Sequence, residues 1–273
     1  MTNPVYVLGH SRFELERLAR QDRLIGRTTS EYFQEAGIAR GMRVLDVGSG
    51  TGVVAFLAAD LVGPSGQVIG TDLAPAAVAA ATAGAAALEL TQVSFRDGSP
   101  AEMSFEQPFD AIVGRYVLLF QADPSDMLRR LARHLRPGGI VVFHEPDWSF
   151  VRSDPAAPTY DRCCEWIIET FDRVGTGTNM SAKLHRAFLG AGLSPPVMRL
   201  QAVIGDAISA EEWLRAMAEL TIVLAPTMEQ QGVASLVDIG CDTLIDRVIQ
   251  EVSANHSMVI GRAEIGAWSR MQG

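Results

Sequence analysis

An open, doubly wound α/β sheet with mostly parallel strands is the fold class that the sequence predicts. Short apolar runs, typical of strands buried on both faces, alternate with helical stretches, beginning with "MRVLDV" at 42–47. A glycine-rich turn, "GSGTG", follows this first strand and precedes a helix. Strands that alternate with helices at this spacing imply parallel β-α-β crossovers, which bind ligands at the carboxyl ends of their strands.

Two helices are predicted ahead of the sheet, in the N-terminal segment 1–36. Ser11 begins a capping-box pattern before a helix at 11–25, and Thr28 begins another before a second helix that Gly37 ends. Both helices are amphipathic and stand outside the β-α-β alternation. We therefore expect this segment to form a helical lid.

The sheet itself is predicted from five strands and the helices between them. A helix at 52–61 follows the glycine turn, an alanine-rich helix has Pro75 in its first turn, and a third helix is capped by Asp123. The predicted strands are 42–47, 67–72, 92–97, 109–114 and 139–145.

The second half of the chain has a more helical pattern. Helical segments at 156–174, 181–191, 209–225 and 230–254 are interrupted by a strand at 196–205 and followed by a last strand that begins at 256. We expect one sheet domain, formed by 37–204 and 256–273. The segment 205–255 is then a helical cap inserted over the acceptor site.

Composition excludes some classes of partner. The net charge of −9, from 23 Lys+Arg and 32 Asp+Glu, argues against nucleic acid or an anionic membrane as the main partner. The three cysteines have no metal-ligand spacing and suggest a reducing compartment. No signal-peptide pattern and no apolar run of about 18 residues is evident, so a soluble, cytoplasmic protein is expected. A homodimer is one possible assembly.

Three ligand classes compete for the sequence "DVGSGTG". A Walker A loop needs Lys-Ser/Thr after its last glycine, but Val53 and Val54 follow Gly52. A dinucleotide fingerprint needs a small residue where Val53 stands. A nucleoside linked to an amino acid needs backbone close to the ligand and an acid at the end of the next strand. Asp72 ends that strand, 20 residues after Gly52.

Five segments in order resemble the class I S-adenosylmethionine-dependent methyltransferases. They are "VLDVGSGTG", "VIGTDLAP", "VSFRDG", "FDAIVGRYVLLF" and "LRPGGIVVFHEPDW". The resemblance is densest over 40–150 and is greatest to the bacterial small-molecule group related to the quinone-biosynthesis C-methyltransferases. It implies a Rossmann-like sheet, S-adenosyl-L-methionine as the cofactor, and a small-molecule acceptor.

The resemblance also implies roles for individual residues. The first motif, with Asp46, Gly48, Ser49 and Gly50, would lie against the methionine part, and Asp46 would orient its ammonium group. Asp72 would hold the ribose hydroxyls, Leu73 would pack on the adenine, and Asp97 with Gly98 would contact the adenine amine. Arg115 would lie beside the methionine part, and Tyr6 and Gln21 belong to the lid that would close over the cofactor.

The acceptor side is predicted from "VVFHEPDW", at the carboxyl end of a central strand. His144 has a pKa suited to a general base, although a histidine at a strand end is also commonly structural. Glu145 and Asp147 could hold a cationic acceptor, and no third metal ligand accompanies them, so no metal is expected. Tyr116 and His185 are further candidates for catalytic residues.

The apolar helices at 156–174 and 209–254 favour a hydrophobic or aromatic small molecule as the acceptor. Methyl transfer to an oxygen, nitrogen or carbon atom of that molecule is the predicted reaction. Two alternatives stay open: a non-methylating, cyclase-like or binding protein that uses the same cofactor pocket, and an NAD-dependent oxidoreductase.

Overall fold

A computed structural model describes residues 12–271 of the 273-residue chain, with side chains described from residue 20 onward. The described residues fold into two compact units. The sheet unit consists of 26–145, 180–199 and 265–271, and the helical unit consists of 12–25, 146–179 and 200–264. The helical unit thus includes 146–179, which the sequence analysis groups with the sheet domain.

The sheet unit has the predicted doubly wound topology. In chain order its elements are the second part of α1 (Arg12–Ala36), β1 (Arg43–Val47), α2 (Val53–Val62), β2 (Gln67–Asp72), α3 (Pro75–Ala87), β3 (Val93–Asp97), β4 (Phe109–Arg115), a 3₁₀ turn (Leu118–Phe120), α4 (Pro124–Ala132), β5 (Leu135–Asp147), α6 (Met180–Gly190) and the end of β8 (Met258–Arg270). The strand order is β3-β2-β1-β4-β5-β8. The pairs among β1 to β5 are all parallel, and the order reverses beside β1, where such sheets bind their ligands.

The N-terminal helix is one continuous element, so the prediction of two helices is wrong. Gly26 and Thr28 lie inside α1 and neither breaks it. Thr29, Tyr32 and Phe33 are fully buried at helical spacing. Burying two aromatic side chains stabilises the helix by several kcal/mol, which outweighs a cost of about 1 kcal/mol for an interior glycine.

The core of the sheet unit fills the space between α1, α2 and the sheet. It includes Tyr32, Phe33, Val44, Ala55, Val113 and Trp268. A Cβ on Gly266 of β8 would lie 2.5 Å from the Tyr32 ring, so only a glycine lets this strand approach α1 so closely.

The helical unit packs its helices around a second apolar core. Its elements are the first part of α1, β6 (Arg152–Asp154), α5 (Pro158–Arg173), most of β7 (Val197–Gly205), α7 (Glu211–Gln230), α8 (Leu236–Ile239), α9 (Leu244–Ala254) and the start of β8. β6 pairs antiparallel with β8, and β7 also pairs with β8. No helix among residues 12–271 is both long and apolar enough to cross a membrane.

The predicted helix at 230–254 is wrong in its bounds. Gly232, with φ of 67°, follows the end of α7, and Gly240, with φ of 60°, ends the short α8 before α9 begins. Left-handed glycines are common immediately after helices, because they let the chain turn away without strain. Helix α7 in turn continues past the predicted end at 225 and through Pro226.

A partly buried ion pair links α1 to α7 within the helical unit. Arg20 binds Glu219 in a two-point geometry, with Nε to Oε2 at 3.0 Å and Nη2 to Oε1 at 2.8 Å, and the Glu219 side chain is only 4% exposed. Such paired contacts hold the guanidinium and the carboxylate in one plane.

We expect Arg20→Ala to destabilise the protein by about 1–3 kcal/mol, because it leaves a buried carboxylate without its charge partner. Arg27→Ala is the matched control. Arg27 pairs with Glu31 on the same helix but is 90% exposed, so its loss should cost under about 0.5 kcal/mol. Urea unfolding of both variants measures the difference, and equal midpoints would contradict the prediction.

Candidate functional site

The glycine-rich turn between β1 and α2 is the first part of the site. Its three glycines adopt left-handed backbone conformations, with φ of 65° at Gly48, 51° at Gly50 and 92° at Gly52. A Cβ would lie 2.9 Å from Val117 at Gly48 and 2.7 Å from Phe56 at Gly52, whereas nothing lies within 4 Å of one at Gly50. The turn is therefore packed at both ends and open at Gly50, where a ligand can approach the backbone.

Asp46, just before this turn, has a buried carboxylate that lacks a hydrogen-bond partner among the described residues. Burial raises the pKa of this carboxyl well above its ordinary value. Three smaller effects act on the same pKa: the positive charge of Arg115 lowers it, the negative charge of Asp72 raises it, and the nearby N–H of Ala55, which is outside hydrogen-bonding geometry, lowers it. The Ser49 hydroxyl oxygen is likewise buried without a partner in the described part of the chain. Buried polar groups are normally satisfied, so these atoms indicate a ligand that supplies donors or a positive charge.

Asp72 lies at the carboxyl end of β2 and is tied to the turn. Its Oδ2 accepts a hydrogen bond from the Gly50 N–H at 2.8 Å, and its Oδ1 accepts one from the Ala74 N–H at 2.9 Å. A carboxylate has about four lone-pair positions, so two bonds leave capacity for hydroxyl donors. The neighbouring Leu73 side chain is 74% exposed, an unusual position for a leucine and a suitable one for covering an aromatic ring.

Asp97 ends the next strand at the same edge of the sheet. It lies opposite Asp72 in the β2–β3 register, and its side chain is exposed. Gly98 follows with φ of 117°, and its N–H donates to the Asp72 carbonyl oxygen at 2.8 Å. The structure thus places the predicted ribose and adenine residues side by side.

Arg115, the last residue of β4, lies opposite His144 of β5. Both contact the hydroxyl of Thr29: the Arg115 Nη1 donates to it at 3.1 Å, and the His144 Nδ1 is 3.0 Å from it. His144 is fully buried, and the rings of Tyr32 and Tyr116 meet it edge-on, at centroid distances of 5.2 and 5.6 Å. Tyr116 has a φ of 60°, which is rare for a residue with a side chain and typical of functional sites.

The Glu145 carboxylate is buried and bonded to backbone. It accepts hydrogen bonds from three successive N–H groups that begin the 3₁₀ turn, at 2.9 Å (Val117), 2.7 Å (Leu118) and 3.3 Å (Leu119). Glu145 therefore fixes the loop after β4. Among the described residues, no group of three or more His, Cys, Asp or Glu side chains is arranged to hold a metal ion.

The remaining predicted residues are Asp147, His185, Gln21 and Tyr6. Asp147 belongs to the helical unit, where its Oδ1 accepts from the Ser149 N–H at 2.9 Å. His185 is exposed on α6, and Gln21 lies on α1 in the helical unit. Tyr6 lies outside the described residues.

The helical unit contains a small cavity of about 10 Å³ beside α7. Arg262 is one of its few polar lining residues; its Nε donates to Glu264 at 3.0 Å, and its guanidinium carbon lies 5.4 and 5.5 Å from the ring centroids of Trp148 and Trp213. This volume holds about one water molecule. The lining residues are Gln21, Leu24, Ile25, Trp213, Ala216, Met217, Leu220 and Arg262.

Thr29 and Tyr32 are the site residues that the sequence analysis missed. Both lie in the predicted lid segment 1–36; in the structure they belong to the sheet unit and contact His144 of β5. The signal that could have found them is the spacing of Thr29, Tyr32, Phe33 and Ala36, which marks one buried face of a single helix.

A family model described as "Methyltransferase domain" matches residues 38–186, which is more than half of the chain. The chain belongs to this family. The resemblance stated from the sequence is thereby confirmed.

Characterised relatives cover parts of the chain only. Nocamycin O-methyltransferase of Saccharothrix syringae is 41% identical over 107 residues, which is 39% of this chain and 38% of that protein. Demethylmenaquinone methyltransferase of Lactococcus lactis is 32% identical over 130 residues, 47% of this chain and 49% of that protein. The chain thus spans less than half the length of either relative.

Solved structures support the fold class. One is the geranyl diphosphate C-methyltransferase of Streptomyces coelicolor A3(2), solved in complex with Mg²⁺, geranyl diphosphate and S-adenosyl-L-homocysteine. It matches with a TM-score of 0.55 at 16% identity, and the match covers 98% of this chain and 88% of that chain. The cyclase SpnF also has a TM-score of 0.55, at 21% identity, covering 90% and 82%. These identities establish the Rossmann-like fold alone, so the choice between transferase and cyclase depends on the site.

Proposed function

We propose that this protein transfers a methyl group from S-adenosyl-L-methionine to a small, hydrophobic or aromatic molecule, at an oxygen, nitrogen or carbon atom. The observation that carries the proposal is the Asp46 carboxylate, which is buried and has no hydrogen-bond partner in the part of the chain that the structure describes. It lies beside an open glycine turn within a methyltransferase domain. When it is bound at this edge of the sheet, the cofactor supplies an electrophilic methyl group attached to its sulfonium sulfur. The thioether S-adenosylhomocysteine is the leaving group.

The chain's own residues fit the amino-acid part of this cofactor. Asp46 would accept hydrogen bonds from the ammonium group, which supplies the positive charge that its carboxylate lacks. Ser49 and the backbone at Gly48 and Gly50 would lie against the methionine part. Arg115 would receive the carboxylate.

The nucleoside part fits the next two strand ends. Asp72 would accept hydrogen bonds from both ribose hydroxyls while it keeps its bonds to the turn. Leu73 would cover one face of the adenine, and the exposed Asp97 beside Gly98 would accept a hydrogen bond from the adenine amine.

The roles of the predicted catalytic residues are part of the proposal. Methyl transfer from a sulfonium depends chiefly on positioning and the exclusion of water. Tyr116 stands next to Arg115 in a strained conformation, which supports a role in positioning the acceptor. The burial of His144 and the backbone bonds of Glu145 support positioning roles for both residues. Asp147 and His185 keep only their predicted roles.

The apolar acceptor is proposed from the apolar helices in the second half of the chain, α5, α7 and α9. We also propose a cap and a lid. The cap is 205–255, and the lid is the part of the predicted segment 1–36 that precedes the sheet unit, 1–25, with Gln21 and Tyr6. The proposal also includes a cytoplasmic location, the absence of a nucleic-acid or membrane partner, and a homodimer as one possible assembly.

The alternatives predict different measurements. We expect calorimetric titration to detect binding of S-adenosylmethionine and S-adenosylhomocysteine and none of NAD. Incubation with S-adenosylmethionine and a metabolite extract should release S-adenosylhomocysteine, whereas heat-inactivated protein should release none. Binding without release would favour the non-methylating alternative, and NAD binding alone would favour an oxidoreductase.

A further inference from the structure

Thr29 is a polar residue in the buried face of α1, and its surroundings are unusual for such a position. The residue is fully buried, and its hydroxyl lies between two side chains from neighbouring strand ends, Arg115 and His144. Tyr32 and Phe33, one turn further along the helix, are buried in the core of the sheet unit. The backbone that carries the hydroxyl is therefore held firmly by packing.

Arg115 lies on the strand next to the one that carries Asp46, the residue two positions before the glycine turn. Asp46 lies opposite Val113 in the β1–β4 register, and Arg115 follows Val113 by two residues, which puts both side chains of β4 on one face of the sheet. The charge of Arg115 acts on Asp46, yet the Asp46 carboxylate has no hydrogen-bond partner among the described residues. A carboxylate and a guanidinium from neighbouring strands suit the two opposite charges of an amino acid.

We infer that Thr29 is a positioning residue of the cofactor site. Its buried hydroxyl holds the Arg115 guanidinium in the orientation that receives the carboxylate of the cofactor. The inference rests on the proposed function. An arginine side chain loses rotamer entropy when it is fixed in one geometry. A rigidly held acceptor of its N–H group removes part of that cost before the ligand arrives.

The competing explanation is that Thr29 only satisfies His144 and stabilises the core. A structural role of that kind would affect every ligand of the site equally. A positioning role affects only ligands that carry the carboxylate, because Arg115 has no other part of the cofactor to bind.

The test compares three ligands by calorimetry on the full-length protein: S-adenosylmethionine, its decarboxylated analogue, and 5′-methylthioadenosine. For Thr29→Val, which replaces the hydroxyl by a methyl group, we expect about three- to tenfold weaker binding of S-adenosylmethionine, the usual effect of one hydrogen bond. The decarboxylated analogue and methylthioadenosine should change by less than about twofold. Thr29→Ser, which keeps the hydroxyl, should restore binding of S-adenosylmethionine.

A double-mutant cycle shows whether Thr29 acts through Arg115. In an Arg115→Gln background, Thr29→Val should cause no further loss of affinity, because the group that it positions is absent. If Thr29→Val does not fold, Thr29→Ala removes the same hydroxyl and carries the same expectations.

Three results would overturn the inference. Equal weakening of all three ligands would show a structural role, and unchanged affinity for S-adenosylmethionine would show that Thr29 does not hold Arg115. Additive losses in the double mutant would show that Thr29 acts independently. Failure of the wild-type protein to bind any of the three ligands would instead reject the proposed function, and this inference with it.

Discussion

Asp46→Asn is expected to weaken binding of S-adenosylmethionine roughly ten- to hundredfold while it makes the ligand-free protein more stable. The loss of affinity is the usual cost, about 1.5–3 kcal/mol, of removing a charge-assisted hydrogen bond. The gain in stability follows because a buried carboxylate without a partner opposes folding, and an amide of the same shape carries no charge.

The gain in stability depends on pH in a defined direction. Burial raises the pKa of the Asp46 carboxyl above its value in the unfolded chain, about 3.9. Below that value the carboxyl is protonated in both states, and wild type and variant should differ little. As the pH rises from there through the raised pKa of the folded state, only the wild type loses stability.

Thermal unfolding at pH 4 and at pH 8, without ligand, measures this difference. Each kcal/mol corresponds to a shift of about 2–4 °C in a protein of this size class. Asp60→Asn, on an exposed position of α2, is the control for the change in charge and should alter neither stability nor affinity appreciably. A variant that binds S-adenosylmethionine as tightly as the wild type would remove Asp46 from the site.

The same carboxyl predicts proton release on binding. The ammonium group favours the ionised carboxylate, so binding below the raised pKa should expel a proton. Calorimetric enthalpies in two buffers of different ionisation enthalpy would detect it, and Asp46→Asn should abolish the difference between buffers.

Asp72→Ala is expected to weaken cofactor binding by about 1.5–3 kcal/mol, that is, again roughly ten- to hundredfold. The variant loses the two bonds that hold the Gly50 and Ala74 N–H groups and, on the proposed function, the acceptor for the ribose hydroxyls. The fold should survive, because the residue is only partly buried at the end of a strand.

Adenosine is the informative ligand for this variant. Because it retains the ribose and lacks the amino-acid part, Asp72→Ala should weaken its binding as strongly as that of S-adenosylmethionine. Asp46→Asn should change the affinity for adenosine by less than about twofold, because the charge that it removes would bind the ammonium group, which adenosine lacks. Asp60→Ala is the control, and an unchanged dissociation constant for Asp72→Ala would exclude Asp72 from the site.

The sheet was predictable from the sequence because its strands carry continuous apolar runs and its turns carry glycines. The strand ends followed from the same pattern, which is why Asp46, Asp72 and Asp97 could be named and are found along one edge. Local signals alone misled at Thr28, where a capping-box pattern lies inside a helix whose buried face outweighs it.

The acceptor side was less predictable, since it depends on contacts between distant parts of the chain. Nothing in "VVFHEPDW" shows that Glu145 is bonded to the backbone of 117–119, or that His144 meets a threonine 115 positions earlier. Such residues look alike in the sequence whether they face a substrate or the core. Only the fold assigns them.

The division of the sheet unit among separate stretches of chain has a consequence for synthesis on the ribosome. β5 pairs with β8, whose sheet-unit residues begin at 265, after all of 200–264 has been made. At about 5–20 residues per second, the edge of β5 waits on the order of ten seconds for its neighbour. Tyr32, which is made before β5, then packs against Gly266, which is made after it. The nascent chain is therefore most open to aggregation in that interval, and slower translation of 200–264 should lower the yield of native protein.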